Sequence, residues 1–430
     1  MDWLTHLLRG CIGLAILTSI GFVLSQNRKA IDWPTIAKGI AIQGLLAAIL
    51  LKIAGASEAV RFLASAMIRM LDWSNAGSSA LFGKVASDQS LGGILAFQVL
   101  PSIIFFGALA TLLYHWGVLP FFVRAGAWIL RRIMPISGPE SLGLASNVFV
   151  GPIESTLTIK PYLQEMTRSE LFCLMTAGMS TIAGGVMVAY IAILGGGSDE
   201  MRIEFGRQLI TASLLSAPAA IVAAKLLIPE THKVDLNPAP DLKMRFENAF
   251  DALTVGTNEG LKLALAVGAI LIVFIALVTG INDLANVFGK WTGLNEVINQ
   301  STDGRYQSLS LQFLFGLMFS PIAWAIGIDS SNLLAGGQLL GEKTALNEFI
   351  AYNSLGTMIQ SGQIADPQQI AILTFALCGF ANFASMGIML GGLYALVPSR
   401  RAEIARLGLP SIVSGTVASL MTACWAGALY

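Results

Sequence analysis

Eight apolar segments long enough to cross a membrane restrict what this chain can fold into. Six are continuous, at about 7–25, 33–54, 91–118, 208–228, 261–281 and 409–430, and two, at about 170–194 and 369–394, are interrupted by polar residues. A helix of roughly 20 apolar residues spans the ~30 Å hydrocarbon core of a bilayer. The pattern predicts an all-α polytopic membrane protein with about eight transmembrane helices.

Composition supports this class. Hydrophobic residues make up 55% of the chain and charged residues 12%, whereas soluble domains contain about 25% charged residues. The 26 basic and 26 acidic residues balance to a net charge of zero, and no basic tract indicates a nucleic-acid partner. The first apolar run has no small-residue cleavage pattern behind it, so we expect it to remain as a membrane span.

The segment at about 138–166 does not fit an ordinary span. It holds two short apolar pieces, SLGLASNVFVG and STLTIKPYL, divided by Gly151, Pro152 and Glu154. Each piece is too short to cross the bilayer, so we predict a re-entrant hairpin. Its irregular turn is tolerated only where it is buried or lines a watery cavity. A carboxylate at this depth costs about 2.5–3.5 kcal/mol, so Glu154 indicates a binding site.

The interrupted span at 170–194 carries MSTIAGG at its middle. Small residues and hydroxyls in a membrane helix favour close helix packing. The alternative is an unwound helix that offers carbonyl groups to an ion, as in transporters with broken helices. The sequence leaves both interpretations open.

The same features recur in the second half. The segment 332–358 gives two short pieces that we expect to be divided by Gly341 and Lys343, and GFANFAS interrupts the span 369–394. We infer a duplicated unit of interfacial helix, hairpin, broken span and straight span, in an inverted arrangement. Such repeats place a transport site at their interface, so a transporter is favoured.

These features divide the chain into four parts. Residues 1–90 hold N-terminal spans and an interfacial helix, 91–228 the first repeat, 229–260 a polar loop and amphipathic linker, and 261–430 the second repeat. Pro101 lies inside the third predicted span, where we expect a kink.

Eight crossings place both termini on one side of the membrane. Short loops rich in arginine and lysine, at 28–29 and 400–406, are expected in the cytoplasm by the positive-inside rule. Both termini would then be periplasmic in a bacterial inner membrane. An intramembrane hydrolase is disfavoured because the chain has no HExxH or GxSxG motif. A channel, the other alternative, has no need of two hairpins.

From about Gly93 onward, six ordered blocks resemble the concentrative nucleoside transporter family. They are FQVLPSIIFFGALATLLYH, the NVFVGxxE hairpin with its PYL, MTAGMSTIAGG, ENAFDALTVGTNEGLKLA, LGEKTALNEFIAY and CGFANFASMGIMLGG. The resemblance implies a homotrimer with scaffold and transport domains, and an elevator-type movement that imports a nucleoside with a cation. It implies neither an enzyme nor an organic cofactor.

The resemblance also implies a substrate site. The family's first hairpin reads Gly-Gln-Thr-Glu, whereas this chain has Gly151, Pro152, Ile153 and Glu154. Proline and isoleucine offer no side-chain donors, so base recognition would depend on Glu154, water and apolar contact from Val186. A purine or broader preference is the expectation, in place of pyrimidine selectivity.

The family's sugar-binding positions are present here. They are occupied by Glu348, Asn382 and Ser385, and Phe380 is expected to pack close by. A carboxylate and a carboxamide suit vicinal hydroxyl groups, because one accepts and the other both donates and accepts. A purely structural role for Asn382, tying a broken helix together, is the alternative.

The family's sodium site is also represented. Its positions are occupied by Asn147, Val150, Thr181 and Ile182. Amide, hydroxyl and carbonyl oxygens suit a small alkali cation, so Na+ is the predicted coupling ion. Proton coupling (H+) through Glu154 or Glu348 is the alternative.

Overall fold

The protein is all-helical in the computed structural model, which describes residues 3–87, 95–232 and 246–430. The side chains of five residues are outside this description, namely Trp3, Ser87, Leu95, Ile153 and Glu154. Most of the predicted polar loop, residues 233–245, also lies outside it. No strand occurs within the three ranges.

Twenty α-helices follow one another in these ranges. The N-terminal four are α1 (Trp3–Val23), α2 (Trp33–Lys52), α3 (Ala54–Phe82) and α4 (Lys84–Ser87). The next eight are α5 (Leu95–Gln98), α6 (Leu100–His115), α7 (Val118–Ile133), α8 (Gly138–Val150), α9 (Pro152–Thr158), α10 (Arg168–Ser180), α11 (Gly184–Gly195) and α12 (Asp199–Leu227). The last eight are α13 (Ala249–Thr292), α14 (Leu294–Ser301), α15 (Leu311–Ala325), α16 (Leu333–Ala345), α17 (Glu348–Gln360), α18 (Pro367–Leu377), α19 (Phe383–Leu396) and α20 (Arg401–Leu429).

Seven helical segments are long and apolar enough to cross a membrane. They are Leu4–Val23, Trp33–Lys52, Ala96–His115, Arg168–Gly195, Asp199–Leu227, Ala249–Thr292 and Pro398–Leu429. The eighth predicted crossing, at 369–394, consists of the shorter apolar helices α18 and α19. The fold class expected from the sequence, an all-α polytopic membrane protein, is therefore confirmed.

Two helices are longer than their apolar cores predict. Helix α12 begins at Asp199, where the Ser198 side chain accepts a hydrogen bond from the Met201 amide. Helix α13 has 44 residues, so it extends into the predicted linker. Its first turn is capped by the Asn248 side chain, which accepts from the Asp251 amide. Capping residues, which hydropathy does not detect, set these boundaries.

Helices α3 and α7 are the amphipathic elements of the first half. In α3 the buried residues Val60, Ala64, Ile68 and Leu71 recur at helical spacing. Pro101 is the second residue of α6 and not an interior residue, which corrects the predicted kink. A proline in the first turn of a helix removes no helical hydrogen bond, and a one-residue turn at Val99 separates α6 from α5.

Two pairs of short helices occupy the predicted hairpins. Helix α8 ends at Gly151, whose φ of 102° lets the chain turn at once into α9. In the second pair the expected break at Gly341 and Lys343 is wrong, because both residues are buried inside α16. The break lies at Leu346 and Asn347, where the Asn347 side chain accepts from the Ile350 amide and begins α17.

Both interrupted spans are unwound at their centres. Helix α10 ends at Ser180 and α11 begins at Gly184, while α18 ends at Leu377 and α19 begins at Phe383. Of the two interpretations of MSTIAGG, the structure therefore has the broken helix. The first unwound segment, 181–183, is extended at Thr181 and at Ala183.

The second unwound segment packs against the end of α10 and against α20. Gly379 has a φ of 147°, and a Cβ atom there would lie 2.7 Å from Ser419 Oγ and 2.9 Å from the carbonyl oxygen of Met179. The Ser419 hydroxyl donates to the Cys378 carbonyl at 3.0 Å. This bond satisfies a backbone acceptor that the broken helix leaves without a partner.

Glycines also allow α13 to pack closely against α6. A Cβ atom at Gly256 would lie 2.5 Å from the Gly107 carbonyl oxygen, and one at Gly260 would lie 2.8 Å from the Ile104 Cα. Thr111 adds a hydrogen bond to the Ala252 carbonyl at 2.8 Å. The rest of α13 is largely exposed apolar surface, as at Ile272 and Leu284, each 74% exposed.

We predict that Gly379→Ala destabilises the purified protein, because alanine is strained at this φ and its Cβ would collide with α20. The strain alone is worth about 1–3 kcal/mol. Thermal unfolding in detergent is the measurement, and Gly391→Ala is the matched control, since a Cβ there meets nothing within 4 Å. Equal melting temperatures for the two variants would show that α20 does not pack tightly against Gly379.

Candidate functional site

A cavity opens where both unwound segments, both hairpins and α13 meet. Its lining is formed by Pro152, Ala183, Val186, Tyr190, Leu263, Val267, Ile270, Asn347, Glu348, Phe349, Phe380, Ala384, Ser385 and Ile388. Its polar residues form one cluster: Asn347 precedes Glu348, Tyr190 binds it, and Ser385 is linked to it through Asn382. Few, convergent polar groups in an otherwise apolar cavity are typical of small-molecule sites.

Glu348 is the centre of the polar end. It is 6% exposed, and both carboxylate oxygens accept hydrogen bonds. Tyr190 of α11 donates its hydroxyl to Oε1 at 2.8 Å, and Asn382 donates Nδ2 to Oε2 at 2.6 Å. Glu348 is also the first residue of α17, where the partial positive charge of a helix N-terminus favours a carboxylate.

Asn382 has two roles that the sequence presented as alternatives. Its Oδ1 accepts from the Ser385 amide at 2.8 Å and so begins α19, while its Nδ2 binds Glu348. Asn382 is fully buried behind the cavity wall. The residue therefore ties the broken helix together and orients the cavity carboxylate at the same time.

The structure brings most of the predicted substrate residues together. Glu348, Phe380 and Ser385 line the cavity, and Pro152 and Val186 line it from the first half of the chain. Pro152 also packs against α10, since a Cβ atom added at Gly178 would lie 2.9 Å from the Cβ of Pro152. The side chains of the remaining two predicted residues, Ile153 and Glu154, lie outside the described part of the structure.

The four residues predicted for sodium lie on the first hairpin and the first unwound segment. Asn147 Nδ2 donates to Thr181 Oγ1 at 2.5 Å, and both residues are 1% exposed. The Thr181 hydroxyl donates in turn to the Ala177 carbonyl at 3.0 Å. Asn147 Oδ1 is buried and accepts no hydrogen bond within the described chain. Val150 is the last residue of α8, and Ile182 lies fully buried in the unwound segment.

Two helix C-termini converge at this place. The carbonyl oxygen of Phe149, near the end of α8, lies close enough to Gly184 that a Cβ there would be 3.2 Å away. Helix α10 ends at Ser180, four residues earlier in the same span. Helix C-termini carry a partial negative charge and unsatisfied carbonyls, so this environment favours a cation.

No group of three histidine, cysteine, aspartate or glutamate side chains suited to a metal occurs within the described ranges. The oxygens around Asn147 are neutral amide, hydroxyl and backbone groups. Hard oxygen donors of this type fit an alkali or alkaline-earth cation, and not a transition metal.

The sequence did not single out some residues of the cavity. Tyr190 lies one helical turn beyond Val186 on the same face of α11, so its spacing could have indicated it. Phe349 directly follows Glu348. Leu263 and Val267 of α13 gave no signal, because nothing in a uniformly apolar helix tells which face meets a site formed by distant segments.

Comparison with known proteins agrees with this arrangement. Residues 12–85 match the N-terminal part of the Na+ dependent nucleoside transporters, residues 96–197 a Gate domain described as nucleoside recognition, and residues 208–427 the C-terminal part of the Na+ dependent nucleoside transporters. The chain belongs to the family of Na+ dependent, or concentrative, nucleoside transporters, so the resemblance seen in the sequence is confirmed.

Individual relatives match along their whole length. An uncharacterized transporter of Haemophilus influenzae is 37% identical over 425 residues, which cover 98% of this chain and 97% of the relative. Nucleoside permease NupC of Helicobacter pylori is 35% identical, with 97% and 96% covered. CNTnw, whose structure is known in an inward-facing substrate-bound state, is 33% identical in sequence to this chain. The two structures align with a TM-score of 0.87 over 98% of each chain. These relatives are transporters and not enzymes, and the chain is an integral membrane protein.

We predict that Tyr190→Phe weakens substrate binding, because it removes a donor that orients Glu348 while keeping the aromatic ring. A hydrogen bond to a charged group contributes about 1.5–3 kcal/mol, so the substrate concentration for half-maximal uptake should rise roughly tenfold or more. Tyr352→Phe is the matched control: this buried tyrosine stacks on Tyr190 but donates to the Thr374 carbonyl. Equal kinetics in both variants would refute the orienting role of Tyr190.

Proposed function

We propose that this protein imports nucleosides across the bacterial inner membrane by cation symport. The supporting observation is the Glu348 carboxylate, buried at one end of a largely apolar cavity and held by Tyr190 and Asn382. The family of the chain and the names of its relatives indicate the same class of substrate. A nucleoside has a polar sugar and a flat aromatic base, which matches a cavity that is polar at one end and apolar elsewhere.

The sugar would bind at Glu348. A carboxylate accepts hydrogen bonds from the vicinal hydroxyls of ribose, and Ser385 and Asn347 beside it add groups that donate and accept. When a deoxy sugar leaves one of these groups without a partner in a dry site, the cost is about 1–3 kcal/mol. We therefore expect the site to prefer ribonucleosides.

The base would lie against the apolar surface between Pro152, Val186 and Phe380. Stacking and dispersion on such a surface accept any aromatic base. Pro152 stands where the family pattern has a glutamine, so one polar contact that could select between bases is missing. This supports a purine or broad preference.

Sodium is the proposed coupling ion. The Oδ1 atom of Asn147 is a buried acceptor without a partner among the described residues, and such an atom costs about 1–3 kcal/mol unless something binds it. Thr181 Oγ1 and the backbone carbonyls of Val150 and Ile182 would complete the set. A sodium ion at the junction of two helix C-termini would also join the first hairpin to the first unwound span.

Alternating access would occur by an elevator-type movement. In this proposal both hairpins and both broken spans form a transport domain, and α6 and α13 belong to a scaffold that forms a homotrimer. The glycine contact between α6 and α13 supports a rigid scaffold. Both termini would face the periplasm, as the arginine and lysine residues of the short loops indicate.

We predict saturable uptake of uridine and adenosine by the purified protein in liposomes, driven by an inward sodium gradient. Adenosine and inosine should compete at least as well as uridine, and a 2′- or 3′-deoxynucleoside should compete about 5-fold or more less well. Glu348→Gln should abolish uptake, whereas Glu165→Gln, an exposed carboxylate outside the cavity, should not. Uptake that did not saturate, or that persisted in Glu348→Gln, would contradict the proposal.

We predict that replacing sodium with choline at constant pH abolishes uptake. Asn147→Ala should raise the sodium concentration for half-maximal uptake about tenfold or more, equivalent to about 1.4 kcal/mol or more. Ser146→Ala is the control, since the neighbouring Ser146 hydroxyl is buried but makes no hydrogen bond to the described part of the chain. Full activity in choline would rule out sodium coupling, and equal effects of the two substitutions would place the ion elsewhere.

A further inference from the structure

The second hairpin contains a buried carboxylate that the proposed substrate and sodium sites do not use. Glu342 lies in α16 and is 2% exposed, but it is absent from the lining of the cavity. The next residue, Lys343, is buried as well, but its Nζ donates to the Ala376 carbonyl of α18 at 2.8 Å. Adjacent residues of a helix point about 100° apart. Within the described ranges the two side chains form no ion pair.

Within the described residues Glu342 has only neutral hydrogen-bond partners. Gln338, one turn earlier in α16, donates Nε2 to Oε1 at 2.8 Å. The other oxygen, Oε2, is buried and makes no hydrogen bond within the described chain. The side chain of Ser354 on α17 also faces this carboxyl. One neutral amide and one nearby hydroxyl are a small set of partners for a charged carboxylate taken out of water.

The carboxyl nevertheless has a polar route to the surface. Tyr306 donates its hydroxyl to Gln338 Oε1 at 2.8 Å, so a continuous chain of hydrogen bonds runs from Tyr306 through Gln338 to Glu342. Gln338 and Ser354 are both partly exposed. The turn before Tyr306 is exposed at Asp303 and Gly304. The Gln338 amide holds the carboxyl but does not itself carry a proton. A proton from water therefore reaches Glu342 beside the partly exposed Gln338 and Ser354, neither of which lines the substrate cavity.

Few charged groups face Glu342 from the surrounding elements. Helices α15 and α18 contain no ionisable side chain. Helix α17 carries two ionisable side chains, and both have other partners. Glu348 accepts from Tyr190 and Asn382, and Tyr352 donates to the Thr374 carbonyl. Arg305, beside Tyr306, donates to the Ser331 carbonyl. No described group is therefore bound to the carboxylate as a counter-ion.

We propose that Glu342 is a proton-binding site of the second hairpin and that its protonated form is the one competent for uptake. The proton on Oε2 removes a buried charge that has no counter-ion, so the hairpin can change its surroundings during transport without an ionised carboxylate. This site is distinct from Glu348 and from the Asn147–Thr181 pair. The second half of the inference, its effect on uptake, rests on the proposed function.

The infrared spectrum of the purified protein tests proton binding without transport. A protonated carboxyl gives a C=O band that an ionised carboxylate and glutamine lack. The difference between the native protein and Glu342→Gln at neutral pH should contain this band. If the band is missing from the difference spectrum, Glu342 is ionised and the proposal is wrong, whether or not the protein carries nucleosides.

The pH dependence of uptake tests the role in transport. At fixed sodium, native uptake should fall by about tenfold per pH unit above the titration of the carboxyl, while Glu342→Gln, which imitates the protonated form, should vary less than about twofold. Gln338→Leu, which keeps the carboxyl and removes its donor, should move the midpoint to higher pH. An unchanged pH profile in both variants would refute the role in transport. No nucleoside uptake by the native protein at any pH, together with the infrared band, would overturn the proposed function alone.

Discussion

One buried carboxylate connects the parts of this protein that the chain itself keeps separate. Glu348 begins α17, and its two oxygens bind Tyr190 of α11 and Asn382 at the start of α19. A single side chain at the cavity therefore joins both broken spans to the second hairpin, in addition to the packing contacts among them. A carboxylate in this environment is stable only while both oxygens are satisfied, so a ligand that binds it acts on all three elements at once.

The sequence predicted the parts of the fold that depend on hydropathy and on special residues. Apolar runs located the long helices, and short pieces flanking Gly151 located the first hairpin. The predicted break in the second hairpin was displaced by several residues, because glycine is a poor helix former and a lysine is costly at membrane depth. In the structure Gly341 makes room for Phe315 of α15, and Lys343 finds an acceptor in α18. Packing against neighbouring helices, which a single sequence does not reveal, decided that boundary.

The candidate site was predictable on its polar side and not on its apolar side. The resemblance to the transporter family indicated Glu348, Asn382 and Asn147, and the cost of polar side chains at membrane depth agrees with a role for them. Leu263 and Val267 do not stand out, since most apolar residues of α13 could equally face lipid. Tyr190 lies between these cases. Its hydroxyl is polar, but only the fold shows that it binds Glu348, 158 positions away in the chain.

The length of α13 has a mechanical consequence. At 1.5 Å per residue, its 44 residues measure about 66 Å, roughly twice the hydrocarbon thickness of a bilayer. It offers the cavity only apolar side chains, Leu263, Val267 and Ile270, and apolar contact has no preferred direction. In the elevator-type movement proposed above, the polar end of the cavity would slide along this helix without breaking a hydrogen bond to it. The helix would then offer little resistance of its own, and the energetic barriers to that movement would arise elsewhere in the molecule.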